Sequence, residues 1–281
     1  MQKIFYLLAF VVSTLGVKGN STSERTPADS ILNVAYGPDA RQKMDIYLPA
    51  NRDTLHTKLM ILIHGGAWIR GDKADFTPYM LLLQIRFPGY AFATLNYRLF
   101  RNGENKFPAQ ENDVKTAMEF LMKKRPEYVF SDQVVLLGLS AGAHLALLQG
   151  YKYSNIVAPK AIVSFFGPTD FEEMYNNPSG EMMPSLLASL IGFTPDQNPA
   201  IYKESSPVNF VTAKSPPTIV LQGKLDPLVS PRQADLLINK LQHAGVPNQL
   251  VLYPNAKHGF KGADFIDSIN KIEAFLKKYL G

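Results

Sequence analysis

Gly138-Leu139-Ser140-Ala141-Gly142 is a G-x-S-x-G run. A serine becomes a useful nucleophile when its hydroxyl stands clear of the backbone and beside a base. A tight turn from strand to helix achieves the first condition. It crowds its neighbours so closely that the flanking positions must be small. The two glycines, Ala141 and Ala143 meet that demand. Upstream lies His64-Gly65-Gly66-Ala67-Trp68, a loop of small residues that can turn backbone N–H groups toward a ligand. Joined by the N–H of Ala141 just after the serine, these groups can bind an oxyanion.

A serine of this kind needs a base, and the base needs an orienting carboxylate. The chain has five histidines. His258 follows the last expected strand and precedes the last expected helix. That is the C-terminal end of a strand, where sites in open α/β sheets are built. His56 lies in a polar loop, and His64 belongs to the glycine loop and is expected to hold it by hydrogen bonds. His144 sits one turn into the helix behind Ser140, and His243 is near a helix C-terminus, where positive charge is welcome. His258 is therefore the predicted base. Asp226, in Gly223-Lys224-Leu225-Asp226-Pro227, follows the strand expected at 218–222 and is the predicted acid. Asp170, Asp113, Asp264 and Asp267 are weaker candidates: the first opens an insertion, the second lies on a helix, and the last two follow the histidine.

The elements that must position these residues alternate along the chain. Two extended runs, 31–36 and 43–48, flank the turn cluster Gly37-Pro38-Asp39 and predict a hairpin. Short continuous apolar runs predict buried strands at 59–63, 133–137, 161–166 and 218–222, with further strands at 90–97 and 249–253. Helical periods fall at 110–124, 141–150, 231–244 and 265–279. Strands alternating with helices predict an α/β chain with a mostly parallel central sheet covered on both faces. The stretch 171–210 breaks the alternation. It carries one helix-like piece at 183–191 and is expected to be a short lid. Trp68, Phe171, Met182 and Met183 are candidates for the substrate pocket.

Composition narrows the functions further. The 281 residues are 46% hydrophobic and 19% charged, which suits a globular protein rather than a disordered one. There is no cysteine, so disulfides, cysteine-based zinc sites and a cysteine nucleophile are excluded. The net charge is +5, but its longest basic run is only Lys123-Lys124-Arg125, with no basic stripe for nucleic acid. Met1-Gln2-Lys3 precedes an apolar run over 4–15, and small or apolar Val17 and Gly19 follow. This pattern predicts a signal peptide over 1–19, cut near Gly19, and then a linker over 20–30. The run is short for a membrane span, so a secreted or periplasmic protein without a stable membrane anchor is expected. The catalytic domain is expected over 31–281.

With these residues in hand, the chain resembles the α/β-hydrolase superfamily. More narrowly it is similar to small carboxylesterases with an H-G-G-[GA]-W loop, the acetyl-esterase and hormone-sensitive-lipase-like groups. The segment from Tyr36 to Pro49, Asn96-Tyr97-Arg98-Leu99 and the run from Phe165 to Asp170 share in that similarity. The chain order Ser140, Asp226, His258 also matches. The resemblance implies the α/β-hydrolase fold, with Ser140 as nucleophile, Asp226 as orienting acid, His258 as base and Gly66, Ala67 and Ala141 as oxyanion donors. It implies a serine carboxylesterase needing no metal or organic cofactor. Its substrate would be a small ester or acylated carbohydrate, including acetyl or feruloyl groups on plant polysaccharides. Many relatives carry Gly where this chain has Ala67, so the hole is expected to survive if that position needs no positive φ. The alternatives are an amidase or formamidase on the same fold, and an inactive relative used as a binding module.

Overall fold

The computed structural model describes residues 26–153 and 157–280. The leader expected over 1–19, and the expected linker up to residue 25, lie outside the described residues. The chain runs β1 (Asp29–Ala35), β2 (Lys43–Leu48), β3 (Lys58–Ile63), α1 (Thr77–Arg86), β4 (Tyr90–Leu95) and α2 (Ala109–Tyr128). It continues with β5 (Val134–Leu139), α3 (Ala141–Lys152), β6 (Ala161–Phe165), α4 (Phe171–Asn176), α5 (Met183–Ile191) and α6 (Pro199–Glu204). It closes with β7 (Thr218–Gly223), α7 (Pro231–His243), β8 (Asn248–Tyr253) and α8 (Gly262–Leu280).

The strands form one sheet in the order β1-β2-β4-β3-β5-β6-β7-β8. β1 and β2 pair antiparallel, β2 meets β4 antiparallel, and every later pairing is parallel. The pleat explains the continuous apolar runs of the central strands. Leu59, Ile61 and Ile63 of β3 enter one core, with residues of α2, α3 and α7. Met60 and Leu62 point the other way, to a second core with Met80 and Leu83 of α1 and Ile269, Ile272 and Phe275 of α8. Both faces are therefore covered, and an alternating polar face would have been costly. This is the α/β-hydrolase architecture.

Some elements depart from expectation. Helix α1 was not foreseen in the sequence. Its segment is apolar nearly all round, and only Met80 and Leu83 are buried, so no 3.6-residue stripe marks it. α2 runs on to Tyr128 with Pro126 in its last turn, and it ends at Val129, which has φ +58°. The insertion carries three helices and a 3₁₀ turn at Pro207–Phe210, where one helix was expected. α4 and α6 have six residues each, under two turns, too short to show a period. Their starts are set by side chains instead: Asp170 Oδ1 accepts from Glu173 N–H at 3.1 Å, and Asn198 Oδ1 accepts from Ile201 N–H at 3.3 Å.

Candidate active site

Ser140 sits between the end of β5 and the start of α3, at φ +53° and ψ −118°. That is a strained conformation for a residue with a Cβ. Its neighbours show why the motif needs glycine. A Cβ on Gly138 would stand 2.3 Å from the carbonyl of Gly142, and one on Gly142 would stand 2.1 Å from the carbonyl of Ile63. The elbow is thus wedged between α3 and the end of β3.

His258 and Asp226 reach it from two other strand ends. His258 lies after β8, and its Nε2 is 2.9 Å from Ser140 Oγ. Its Nδ1 is 2.7 Å from Asp226 Oδ2. An ionised carboxylate only accepts, so Nδ1 carries the hydrogen and Nε2 presents its lone pair to the serine hydroxyl. The carboxylate is itself fixed. Oδ1 accepts the N–H groups of Leu228 at 2.8 Å and Val229 at 3.0 Å, and Oδ2 also accepts from Gln222 Nε2 at 3.1 Å. Asp226 is buried and His258 is largely so, with its ring 4.6 Å from that of Phe166. Phe166 holds φ +42°, a second strained position beside the histidine.

The glycine loop approaches Ser140 from β3. A Cβ on Gly65 would stand 2.8 Å from the Leu139 carbonyl, so this approach needs glycine. Gly66, Ala67 and Trp68 follow at φ +108°, +53° and +61°. The condition set for Ala67 is thus not met: it occupies a left-handed conformation, which costs a non-glycine residue about 1–2 kcal/mol, although its N–H is retained. The N–H groups of Gly66, Ala67 and Ala141 donate to no protein acceptor among the described residues.

Buried polar groups hold that loop. His64 Nδ1–H donates to the Gly65 carbonyl at 2.7 Å, and its ring stacks on Tyr97 at 4.3 Å. Tyr97 Oη donates to the His64 carbonyl at 3.0 Å. Burial pushes the His64 pKa down to about 4. Asn96 Oδ1 accepts from Lys73 N–H at 2.7 Å and Asn96 Nδ2 donates to Asp72 at 2.9 Å. Arg41 donates to the Gly71 carbonyl at 2.8 Å. Arg98 forks onto buried Asp113 at 2.7 and 3.0 Å. The Asn96-Tyr97-Arg98 run thus ties the end of β4 to the loop after β3. His144 lies wholly inside the core. It donates from Nε2 to the Ser205 carbonyl at 2.7 Å, and burial lowers its pKa to about 3. His243 and His56 lie elsewhere, bonding Asn239 and Asp53.

A cavity of about 460 Å³ opens over Ser140 and His258. Its wall includes Gly66, Ala67, Trp68, Met182 and Met183 among the residues singled out from sequence. Phe171 corrects the expectation for the pocket. It does not line the cavity and is fully buried, stacked on His144 at 4.3 Å and edge-on to Trp68 at 5.2 Å. As the first residue of α4, it faces the core that anchors the insertion. Trp68 is only 1% exposed, so its ring belongs mostly to the same aromatic cluster. Phe166, Met174, Leu186, Leu228 and Val229 line the cavity without having been foreseen. The last two follow closely after Asp226, and their nearness to the predicted acid was the available signal.

Known proteins similar to this chain include esterases. The chain is similar to Esterase LipC of Mycobacterium tuberculosis, with 26% identity over 81% of this chain and 59% of that protein. It is similar in structure to a bifunctional GH43-CE protein of Bacteroides eggerthii (TM-score 0.78, 27% identity, 90% of this chain and 35% of that one). A truncated carbohydrate esterase from gut microbiota matches over nearly its whole length (TM-score 0.76, 26% identity, 92% of this chain and 99% of that one). The chain thus spans less than two thirds of LipC and about a third of the Bacteroides protein. The BD-FAE family model matches residues 44–241, from the second strand to the helix before the last strand, and the chain belongs to that family.

Proposed function

We propose that the chain is a serine carboxylic ester hydrolase that works through an acyl-enzyme. The observation that carries this reading is the continuous hydrogen-bonded line from Asp226 Oδ2 through His258 to Ser140 Oγ, at 2.7 and 2.9 Å. It opens into a cavity edged by the unpaired N–H groups of the glycine loop. Ser140 Oγ attacks the ester carbonyl as its proton passes to His258 Nε2. Asp226 accepts the Nδ1–H throughout and stabilises the imidazolium. Charge on the carbonyl oxygen is met by the N–H groups of Gly66 and Ala67 in the glycine loop and of Ala141 just after the serine, none of which has a protein acceptor among the described residues. His258 returns the proton to the leaving oxygen and the alcohol departs. Water then gives its proton to His258 and attacks the acyl-enzyme; His258 passes that proton to Ser140 Oγ as the Oγ–acyl bond breaks and the acid departs.

The substrate in this reading is a short-chain acyl or aryl ester, with acetyl or feruloyl groups on a plant polysaccharide as the natural form. The methionine-lined cavity and the carbohydrate-esterase names of the two structural relatives support it. The basic start and the apolar run over 4–15 support export. A mature chain recovered outside the cytoplasm with its N-terminus near Asn20 is the matching outcome, and an uncut chain in the cytoplasm contradicts export.

A hydrolysis panel tests the reaction. Short-chain aryl esters, acetylated xylan and feruloyl esters are compared with N-formyl aromatic amides. Turnover of esters with little of the amides is expected. Preferential cleavage of the amides would reassign the chain to the amidase class.

A further inference from the structure

Arg70 lines the cavity above Ser140. Its backbone N–H donates to the Gly66 carbonyl at 3.0 Å, which ties it to the oxyanion turn. Its side chain passes over that turn, since a Cβ on Gly66 would stand 3.0 Å from Arg70 Cγ. Among the described residues its guanidinium has no carboxylate partner and no acceptor. The other side chain of fixed charge on the cavity wall is Asp75, whose Oδ2 is engaged by the Asp72 N–H at 3.0 Å.

A second cavity, of about 420 Å³, shares Met182 and Leu186 with the first. Met182 is 85% exposed and forms the divide between them. Beyond it stand Arg101, Asn102, Ser185 and Ser189. Ser185 and Ser189 are one turn apart on α5 and share a face. The Arg101 guanidinium also lacks an ion-pair partner among the described residues. Two adjoining cavities therefore carry one guanidinium each, Arg70 in the cavity over Ser140 and Arg101 in the cavity past Met182, with hydroxyl and amide groups in the second. Guanidinium meets a carboxylate with two parallel charge-assisted hydrogen bonds, which are stronger than its bonds to a neutral sugar hydroxyl. Serine and asparagine suit sugar hydroxyls.

We propose that the ester taken by this site is carried on an acidic saccharide, a chain of sugars bearing carboxylates, which runs from Ser140 over Met182 so that its carboxylates meet Arg70 and Arg101. This rests on the ester-hydrolase reading and adds the charge and length of the alcohol side.

The test uses an acetylated trisaccharide of galacturonic acid and the same trisaccharide with its carboxyls reduced to alcohols. Phenyl acetate serves as a small neutral ester. At low salt, kcat/KM is expected to be about tenfold higher on the acidic trisaccharide, chiefly through KM. The ratio should fall toward one as NaCl approaches about 1 M, where charges screen within about 3 Å. Arg70→Gln and Arg101→Gln should each cut the acidic-to-neutral ratio several-fold. Equal turnover of the two trisaccharides overturns the proposal, as does a ratio that neither substitution moves. Turnover of phenyl acetate alone also overturns it while leaving the ester-hydrolase reading standing. No turnover of any ester defeats both.

Discussion

Asp226 receives four hydrogen bonds, three of them besides the histidine: from Leu228 N–H, Val229 N–H and Gln222 Nε2. That arrangement predicts what Asp226→Asn does. The two backbone N–H groups hold the amide oxygen, so the amide nitrogen faces His258 Nδ1. Nδ1 must then accept, the ring hydrogen moves to Nε2, and no lone pair remains for the Ser140 proton. A loss of about 10³–10⁴-fold in kcat is expected with the fold retained by circular dichroism. Near wild-type kcat in the folded variant would remove Asp226 from the proton path. The three residues were legible in sequence because strand ends and chain order mark them. The left-handed backbone at Ala67 was not, because an alanine carries no signal of φ. Phe171 was misplaced because an aromatic residue beside an insertion looks alike whether it faces the cavity or the core.

At the scale of elements, the site is made where β5, β3 and α3 touch. The close approach of α3 to the end of β3 depends on Gly142, whose missing Cβ leaves room for the Ile63 carbonyl. Backbone cannot yield there as a flexible side chain would. Gly142→Ala is expected to cost about 3 kcal/mol and to lower turnover by displacing Ser140 from His258. Denaturant melts and kcat on a phenyl ester measure the two effects. A variant as stable and active as the parent would show that the wedge is not what sets the elbow. The strands were readable in sequence because both faces of β3, β5, β6 and β7 are covered, leaving short unbroken apolar runs. The insertion was readable in position but only partly in content. α5 has nine residues and showed its period, whereas α4 and α6 are set by Asp170 and Asn198 caps over six residues each.

Across the whole molecule, two buried neutral histidines couple stability to pH. His64 lies under the glycine loop and His144 under the insertion, with burial lowering their pKa values from the ordinary 6.5 to about 4 and about 3. Below 6.5 the unfolded chain takes up protons that the folded chain refuses. Their contribution is therefore complete above pH 6.5 and is lost as pH falls toward 4, at about 1.4 kcal/mol per pH unit for each histidine. Unfolding free energy measured from pH 7 to 4 should decline in that window. His144→Gln, which keeps a donor for the Ser205 carbonyl, should flatten the decline, and an unchanged slope would contradict the assignment. These two histidines are held within the scaffold, whereas His258 meets Ser140 and Asp226. Active-site titration with a fluorophosphonate probe asks whether Ser140 is the nucleophile of an acyl-transfer site. Stoichiometric labelling is expected, located at Ser140 by peptide mass analysis, and is expected to be lost in His258→Ala. A folded protein that takes no label, or takes it at another residue, would contradict the account.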